Sequence, residues 1–204
     1  MKEIILVGGF HEMIELCEDA GFNIMGIIDN EMTGKYYGYP IIGKDSDAPE
    51  IYHQYPSCQV VISPDSPKLR KKLVDHYRSS GFSFATIIHP AASISRYAEI
   101  GEGTVVQQGV NVSANTKIGD FCKLNTYCNI MHDNSIGDFA TIAPNAVLLG
   151  YVEIGNQSYI GANCTILSKC SIGEGSVVGA GAVVTKNVPP NIVVVGVPAK
   201  QMSK

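Results

Sequence analysis

The chain has 204 residues, 45% of them hydrophobic, and a formal net charge of −4. That length holds one large domain or two small ones around an ordinary core, and mild acidity without a Lys/Arg cluster argues against nucleic acid or an anionic membrane as the main partner. No run of about 18 apolar residues is present and no basic segment with a following apolar stretch opens the chain, so the expectation is a soluble, cytoplasmic protein acting on small molecules.

Glu3 to Val7 is a short apolar run closed by Gly8-Gly9, which reads as a buried strand entering a tight turn. Met13, Leu16, Cys17 and Ala20 then recur at helical spacing, with Gly21 where a helix end favours a left-handed residue. Asn23 to Ile28 is a second strand ending in Asp29-Asn30, and strand, helix, strand implies a parallel right-handed unit. After an irregular segment with Tyr39-Pro40 and an acidic loop from Asp45 to Glu50, Val60 to Ile62 is a third strand. Ser66 caps a helix started by Pro67 and ended by Gly81, and Phe84 to Ile88 is a fourth strand before Pro90. The expectation is a small Rossmann-like α/β domain over residues 1–90.

Ligands of such sheets sit at the carboxyl ends of the strands, which nominates Gly8, Gly9, Phe10, His11, Asp29, Asn30 and Ser63 to Ser66. Gly8-Gly9 is either a plain turn or one that lets a phosphate reach backbone N–H groups at the helix start. Asp29 is either a solvated turn acid or an acceptor for a ribose.

From Ile94 to Val184 an aliphatic residue returns at every sixth position without a miss. Two residues earlier lies a column of Ala, Thr, Val, Cys, Asn or Ser, and Gly follows the beat at Gly101, Gly119, Gly137, Gly155 and Gly173, an interval of eighteen. Three hexads therefore make one turn of a parallel β-helix with a triangular section, with the aliphatic residue pointing inward. Sixteen beats give about five coils, a rod roughly 25 Å long at the spacing of parallel strands. Residues 91–186 form this helix and residues 187–204 a C-terminal tail. Cys122, Cys128, Cys164 and Cys170 fall in the small column as buried filler, and no disulfide framework or zinc site is expected.

His132 is the one histidine of the repeat. It lies two places past an inward beat, beside Asp133, and its neighbours at eighteen-residue intervals are Ala114, Gly150 and Ser168, which leaves open space above an imidazole. It reads either as an exposed surface histidine or as a base oriented by Asp133; the pairing needs a corner in the chain or a neighbouring subunit, because adjacent strand residues face opposite ways.

The hexads, the single His-Asp and the closing Gly196-Val197-Pro198-Ala199-Lys200 resemble the bacterial hexapeptide sugar acyltransferases, in particular the sialic-acid O-acetyltransferase and bacillosamine-pathway UDP-amino-sugar N-acetyltransferase group. The resemblance implies a left-handed β-helix, His132 as general base, Asp133 where the partner acid is usually Glu, and a catalytic Asn125 from Asn125-Thr126. It also implies that Gly9, Phe10, His11, Asp29 and Asn30 hold the nucleotide sugar, Asn30 replacing a common second Asp. Acetyl-CoA is then expected in a groove between helices of a homotrimer, near Thr141, Gly150, Ala162 and Ala180.

The function implied is direct acetyl transfer from acetyl-CoA to a nucleotide-linked 4-amino sugar, UDP being the expected nucleotide, in glycan biosynthesis and with no metal. O-acetylation of sialic acid or another free sugar is the alternative. A non-catalytic trimeric assembly or nucleotide sensor is more remote. A metal enzyme like the γ-type carbonic anhydrases would need three converging histidines, whereas His11, His53, His76 and His89 all precede the repeat.

Overall fold

The computed structural model describes residues 2–202. The first unit is a sheet with helices. Strands β1 (Glu3–Val7), β2 (Asn23–Ile28), β3 (Lys35–Tyr36), β4 (Tyr39–Gly43) and β5 (Gln59–Ile62) lie in the order β3-β4-β2-β1-β5. All neighbours are parallel except the β3–β4 hairpin. Helices α1 (His11–Asp19), α2 (Ala48–Gln54) and α3 (Pro67–Ser79) complete it, and one apolar cluster lies on each side of the sheet. Ser66 caps α3 by accepting from the Leu69 N–H, as the Ser-Pro pair predicts.

Two expectations need correction. The segment after Asn30 is not irregular: it folds into β3, β4, a 3-10 turn over Asp45–Asp47 and then α2, so much of the acidic stretch is helical. The fourth strand is divided. Phe84 bridges to Val60 of the sheet, whereas Ile87–Ile88 pair with Val105–Val106 of the repeat, because the chain crosses between units within these five residues.

The repeat is a parallel β-helix. Each two-residue strand pairs with the strand eighteen residues on, as in Asn111↔Asn129 and Val112↔Ile130, which produces three flat sheets. The beat residues fill the interior, and Ile94 and Ile100 of the first coil are only partly covered. Every sixth residue from Gly103 to Gly181 turns a corner with positive φ, including the aromatic residues Phe121, Tyr127, Phe139 and Tyr151. Left-handed backbone is uncommon for such side chains, and the coil geometry imposes it here. The Gly column has a separate cause. Asp120, Asp138 and Asn156 each swing a side-chain oxygen down to the N–H one coil below, at Glu102, Asp120 and Asp138. These oxygens lie where a Cβ on Gly101, Gly119 or Gly137 would stand.

The helix continues beyond Val184. Val188 bridges to Ile172, and Val193–Val195 pair in parallel with Val177–Val178 before an antiparallel partner, Lys200–Gln201, closes that sheet. No helix among the described residues is long and apolar enough to cross a membrane.

The face that begins at Ile87–Ile88 packs under the α/β unit. Its outward residues Val105, Lys123 and Thr141 are buried, and Phe121 and Val105 belong to the apolar clusters of the sheet. Arg70 of α3 crosses this seam at 2% exposure. Its guanidinium donates to the carbonyls of Pro64, Asp65, Phe121, Phe139 and Ala140 and to the Thr141 hydroxyl. A planar fork with five N–H groups suits such a divergent set of acceptors. Arg70→Met is therefore expected to lower stability in chemical denaturation by roughly 3–5 kcal/mol, since several buried acceptors lose their donor together. A loss below about 1 kcal/mol would show that apolar packing alone holds the seam.

Candidate active site

His132 and Asp133 stand at one corner of the prism. Asp133 takes φ of 58°, which turns its side chain back beside its neighbour, and His132 Nδ1 donates to Asp133 Oδ2 at 2.7 Å. The pair forms within one chain through corner geometry. A carboxylate only accepts, so the proton sits on Nδ1 and leaves the Nε2 lone pair free. Asp133 also accepts from Asn115 Nδ2, and Tyr151 meets the imidazole edge-on at 5.5 Å between ring centroids. The hydrogen bond from His132 holds the Asp133 carboxyl below its usual range against desolvation, the next-largest effect, with lesser help from Asn115, the nearby imidazole and Tyr151. Asp133 therefore stays anionic through the neutral range. Both side chains remain accessible, at 52% and 30% exposure.

The space above the imidazole is not empty. A Cβ on Gly150 would lie 2.7 Å from His132 Cε1 and 2.9 Å from Nε2, so the ring rests against the glycine one coil on. The small column is a seat for the histidine. Asn125 is 5% exposed and its Nδ2 has no hydrogen-bond partner.

The expected acetyl-CoA contacts separate. Thr141 is fully buried in the seam, accepting from Arg70 and donating to the Asp65 carbonyl, and its side chain is closed to a ligand. The reason is that the α/β unit covers this face, which the repeat pattern does not reveal. Ala162 and Ala180 stack one coil apart, with Gly181 N–H donating to the Ala162 carbonyl. They follow the strands Tyr159–Ile160 and Val177–Val178, on the same edge as Asn125, whereas His132 and Gly150 follow Asn129–Ile130 and Val147–Leu148 on the next edge. Within one chain a full face separates these two groups.

At the carboxyl ends of β1, β2 and β5 lie two adjoining clefts of about 310 and 280 Å³ that share Gly8, Asp29 and Pro64. Gly9 and Phe10 line one, with Lys123 of the β-helix; Asn30 and Asp45 line the other. Asp29 is neither idle nor free. Its Oδ2 accepts from Gly9 N–H and its Oδ1 from Glu31 and Met32 N–H, so it pins the Gly8-Gly9 turn. Burial raises its pKa, but these three bonds outweigh it and hold the carboxyl below the usual value. Asn30 is occupied by Asp45, donating to the carboxylate and accepting from the backbone N–H, while Tyr77 donates to the other Asp45 oxygen. His11 stacks on Tyr37 at 5.8 Å and does not line either cleft.

Sequence reasoning did not single out Lys123, Asp45, Tyr77 or Tyr151. Lys123 occupies an outward hexad position indistinguishable from that of Lys117, and only docking of the α/β unit makes it special. The cysteines offer no nucleophile: all six are buried, and burial pushes the thiols of Cys17, Cys122, Cys128 and Cys164 up to about 12. Among the described residues no three His, Cys, Asp or Glu side chains gather to hold a metal ion.

The sequence family described as bacterial transferase hexapeptide (six repeats) matches residues 151–186, and this repeat implies a left-handed β-helix. No curated protein matches the chain. Solved structures match it from end to end. A histidine-to-alanine variant of GDP-perosamine N-acetyl transferase from Caulobacter crescentus, in complex with CoA and GDP-perosamine, superposes with a TM-score of 0.95 at 29% identity, covering 100% of this chain and 98% of that one. The acetyltransferase domain of PglB from Neisseria gonorrhoeae FA1090, in complex with acetyl coenzyme A, gives 0.90 at 28% identity over 98% and 99%. WeeI from Acinetobacter baumannii AYE gives 0.85 at 31% identity over 98% and 100%. With that identity across a whole relative and the matched repeat, the chain belongs to the bacterial hexapeptide-repeat transferases, whose sugar N-acetyltransferases it resembles along its full length.

Proposed function

We propose that the protein is an acetyl-CoA-dependent N-acetyltransferase that acylates the amine of a nucleotide-linked 4-amino sugar in the cytoplasm. The observation that carries this reading is the His132–Asp133 dyad, with a bare Nε2 on an accessible edge of the prism. The relatives supply the substrates: one binds CoA with GDP-perosamine and another acetyl coenzyme A. In the reaction the sugar amine attacks the thioester carbonyl and His132 Nε2 takes the proton that the nitrogen loses. The C–S bond then breaks, and that proton leaves with the CoA thiol. Asp133 stabilises the imidazolium between the two transfers. The acetyl group passes directly, without a covalent enzyme intermediate.

In this reading residues 1–90 are a Rossmann-like domain whose clefts take the nucleotide, and the β-helix carries the transfer. The separation of His132 and Gly150 from Asn125, Ala162 and Ala180 by one face supports a homotrimer, in which neighbouring copies bring the two edges together around acetyl-CoA. The orphan Nδ2 of Asn125 fits a donor kept for a ligand on that edge.

A thiol-release assay against UDP-, GDP- and dTDP-linked amino sugars and free sialic acids tests the assignment. One nucleotide amino sugar should turn over and the free sugars should not; turnover of sialic acid alone would replace N- with O-acetylation. His132→Ala should reduce kcat by about 10²–10⁴-fold with acetyl-CoA affinity nearly unchanged. Gly150→Ala probes the seat of the base. Its methyl displaces the imidazole while the rest of the coil folds, so kcat should drop by about 10-fold or more with a small change in Tm. Wild-type turnover in Gly150→Ala would sink the claim that this glycine positions His132.

A further inference from the structure

Ser63 and Lys123 meet on the wall of the cleft that Gly8, Gly9 and Phe10 also line. Ser63 directly follows β5 and is 5% exposed, and its Oγ is buried without a hydrogen-bond partner. Its Cβ lies 3.5 Å from where a Cβ on Gly8 would stand, so the side chain abuts the glycine turn. Lys123 arrives from the β-helix at 2% exposure. Its Nζ donates to the Ser63 carbonyl at 2.6 Å and to Asp65 Oδ1 at 2.9 Å, which uses two of the three ammonium donors. Helix α1 begins at the same place on Phe10, which supplies no side-chain cap. The Met13 and Ile14 N–H groups bond to the Phe10 carbonyl, which leaves those of His11 and Glu12 open to an anion.

Domain docking alone does not account for this. An apolar side chain would fill a buried seam at lower cost than an ammonium, and a hydroxyl buried without a partner destabilises the fold. Two carboxylates, Asp29 and Asp65, face the same cleft, and Lys123 is the one cationic side chain lining it among the described residues. Any anion entering there depends on that charge.

We infer that Lys123 and Ser63 grip the diphosphate of the nucleotide sugar, so that the acyl-transfer helix itself reaches through the seam to hold the substrate bound by the α/β unit. This rests on the assignment of the cleft to the nucleotide. Phosphate oxygens accept from the Ser63 hydroxyl, from the unused ammonium donor and from the open N–H groups of α1. The sugar is thereby tethered to the body that carries the base, and not only to the domain beside it.

Calorimetric titration of the full chain with UDP, GDP and dTDP, and with the corresponding nucleosides, separates the phosphate contribution from that of the base. Ser63→Ala should raise the unliganded Tm, or at least not lower it, because it removes a buried hydroxyl that bonds to nothing, yet weaken the preferred diphosphate by about 10-fold with the nucleoside unaffected. Lys123→Met should weaken it by about 100-fold, with acetyl-CoA affinity retained. Diphosphate binding at wild-type strength in Ser63→Ala, or equal losses for diphosphate and nucleoside in either variant, would overturn the inference while leaving the cleft a nucleotide site. A wild-type chain that binds acetyl-CoA but none of the three diphosphates would instead remove the cleft assignment, and the inference with it.

Discussion

The backbone ladder between residue n and residue n+18 is the constraint on which the rest of this structure depends. With strands only two residues long, the coils are held by N–H donors such as Lys123 and Asn125 reaching the carbonyls of Ala140 and Ile142 one coil on. Because each coil is the floor of the next, a side chain is decided as much by its neighbour at eighteen residues as by its own position. Gly137 is glycine because Asn156 reaches down past it, and Gly150 has no side chain because His132 leans on it. The same ladder forces the corners into left-handed backbone, and that turn, at Asp133, swings a carboxylate beside the preceding imidazole. A reactive pair of adjacent residues is unavailable to a straight strand, where neighbours point apart.

The seam applies a second constraint. Prism faces are interchangeable by pattern, yet one is closed by the α/β unit, and its buried polar groups are matched almost atom for atom. Arg70 answers carbonyls from both units, and Lys123 answers the carbonyl and carboxylate that follow β5. Burial lowers the Lys123 pKa, and Asp65 opposes that without cancelling it. Because bonds fix this arrangement as well as apolar contact, the cleft and the dyad edge are held in one frame. A substrate anchored at one and reacting at another needs such a frame.

The β-helix was legible because its constraint is local and repeated: a missed aliphatic beat would open a hole in every coil it touches. His132 was legible for the same reason, as the exception in a regular column. What the pattern hides is anything decided by contact between distant segments. Val105, Lys123 and Thr141 occupy positions that elsewhere hold solvated Glu99, Lys117 and Glu153, and nothing in their own hexads marks them as buried. Asp29 stands out in the sequence by its strand end, but its partners are backbone N–H groups that no residue type announces. Phe84 to Ile88 reads as one strand by composition and is divided because two sheets compete for it.

The final turn of the prism has a consequence of another kind. A stack of parallel coils is an open-ended template, since its last strand offers the same unpaired groups that every earlier coil used to recruit its successor. Here Val193–Val195 is followed by a reversal of the chain, and Lys200–Gln201 lie against it in the opposite sense. The edge on that face is thus occupied by a strand of the wrong direction and polar character. On that face the series of parallel strands, each the template for the next, meets a strand that does not repeat the pattern.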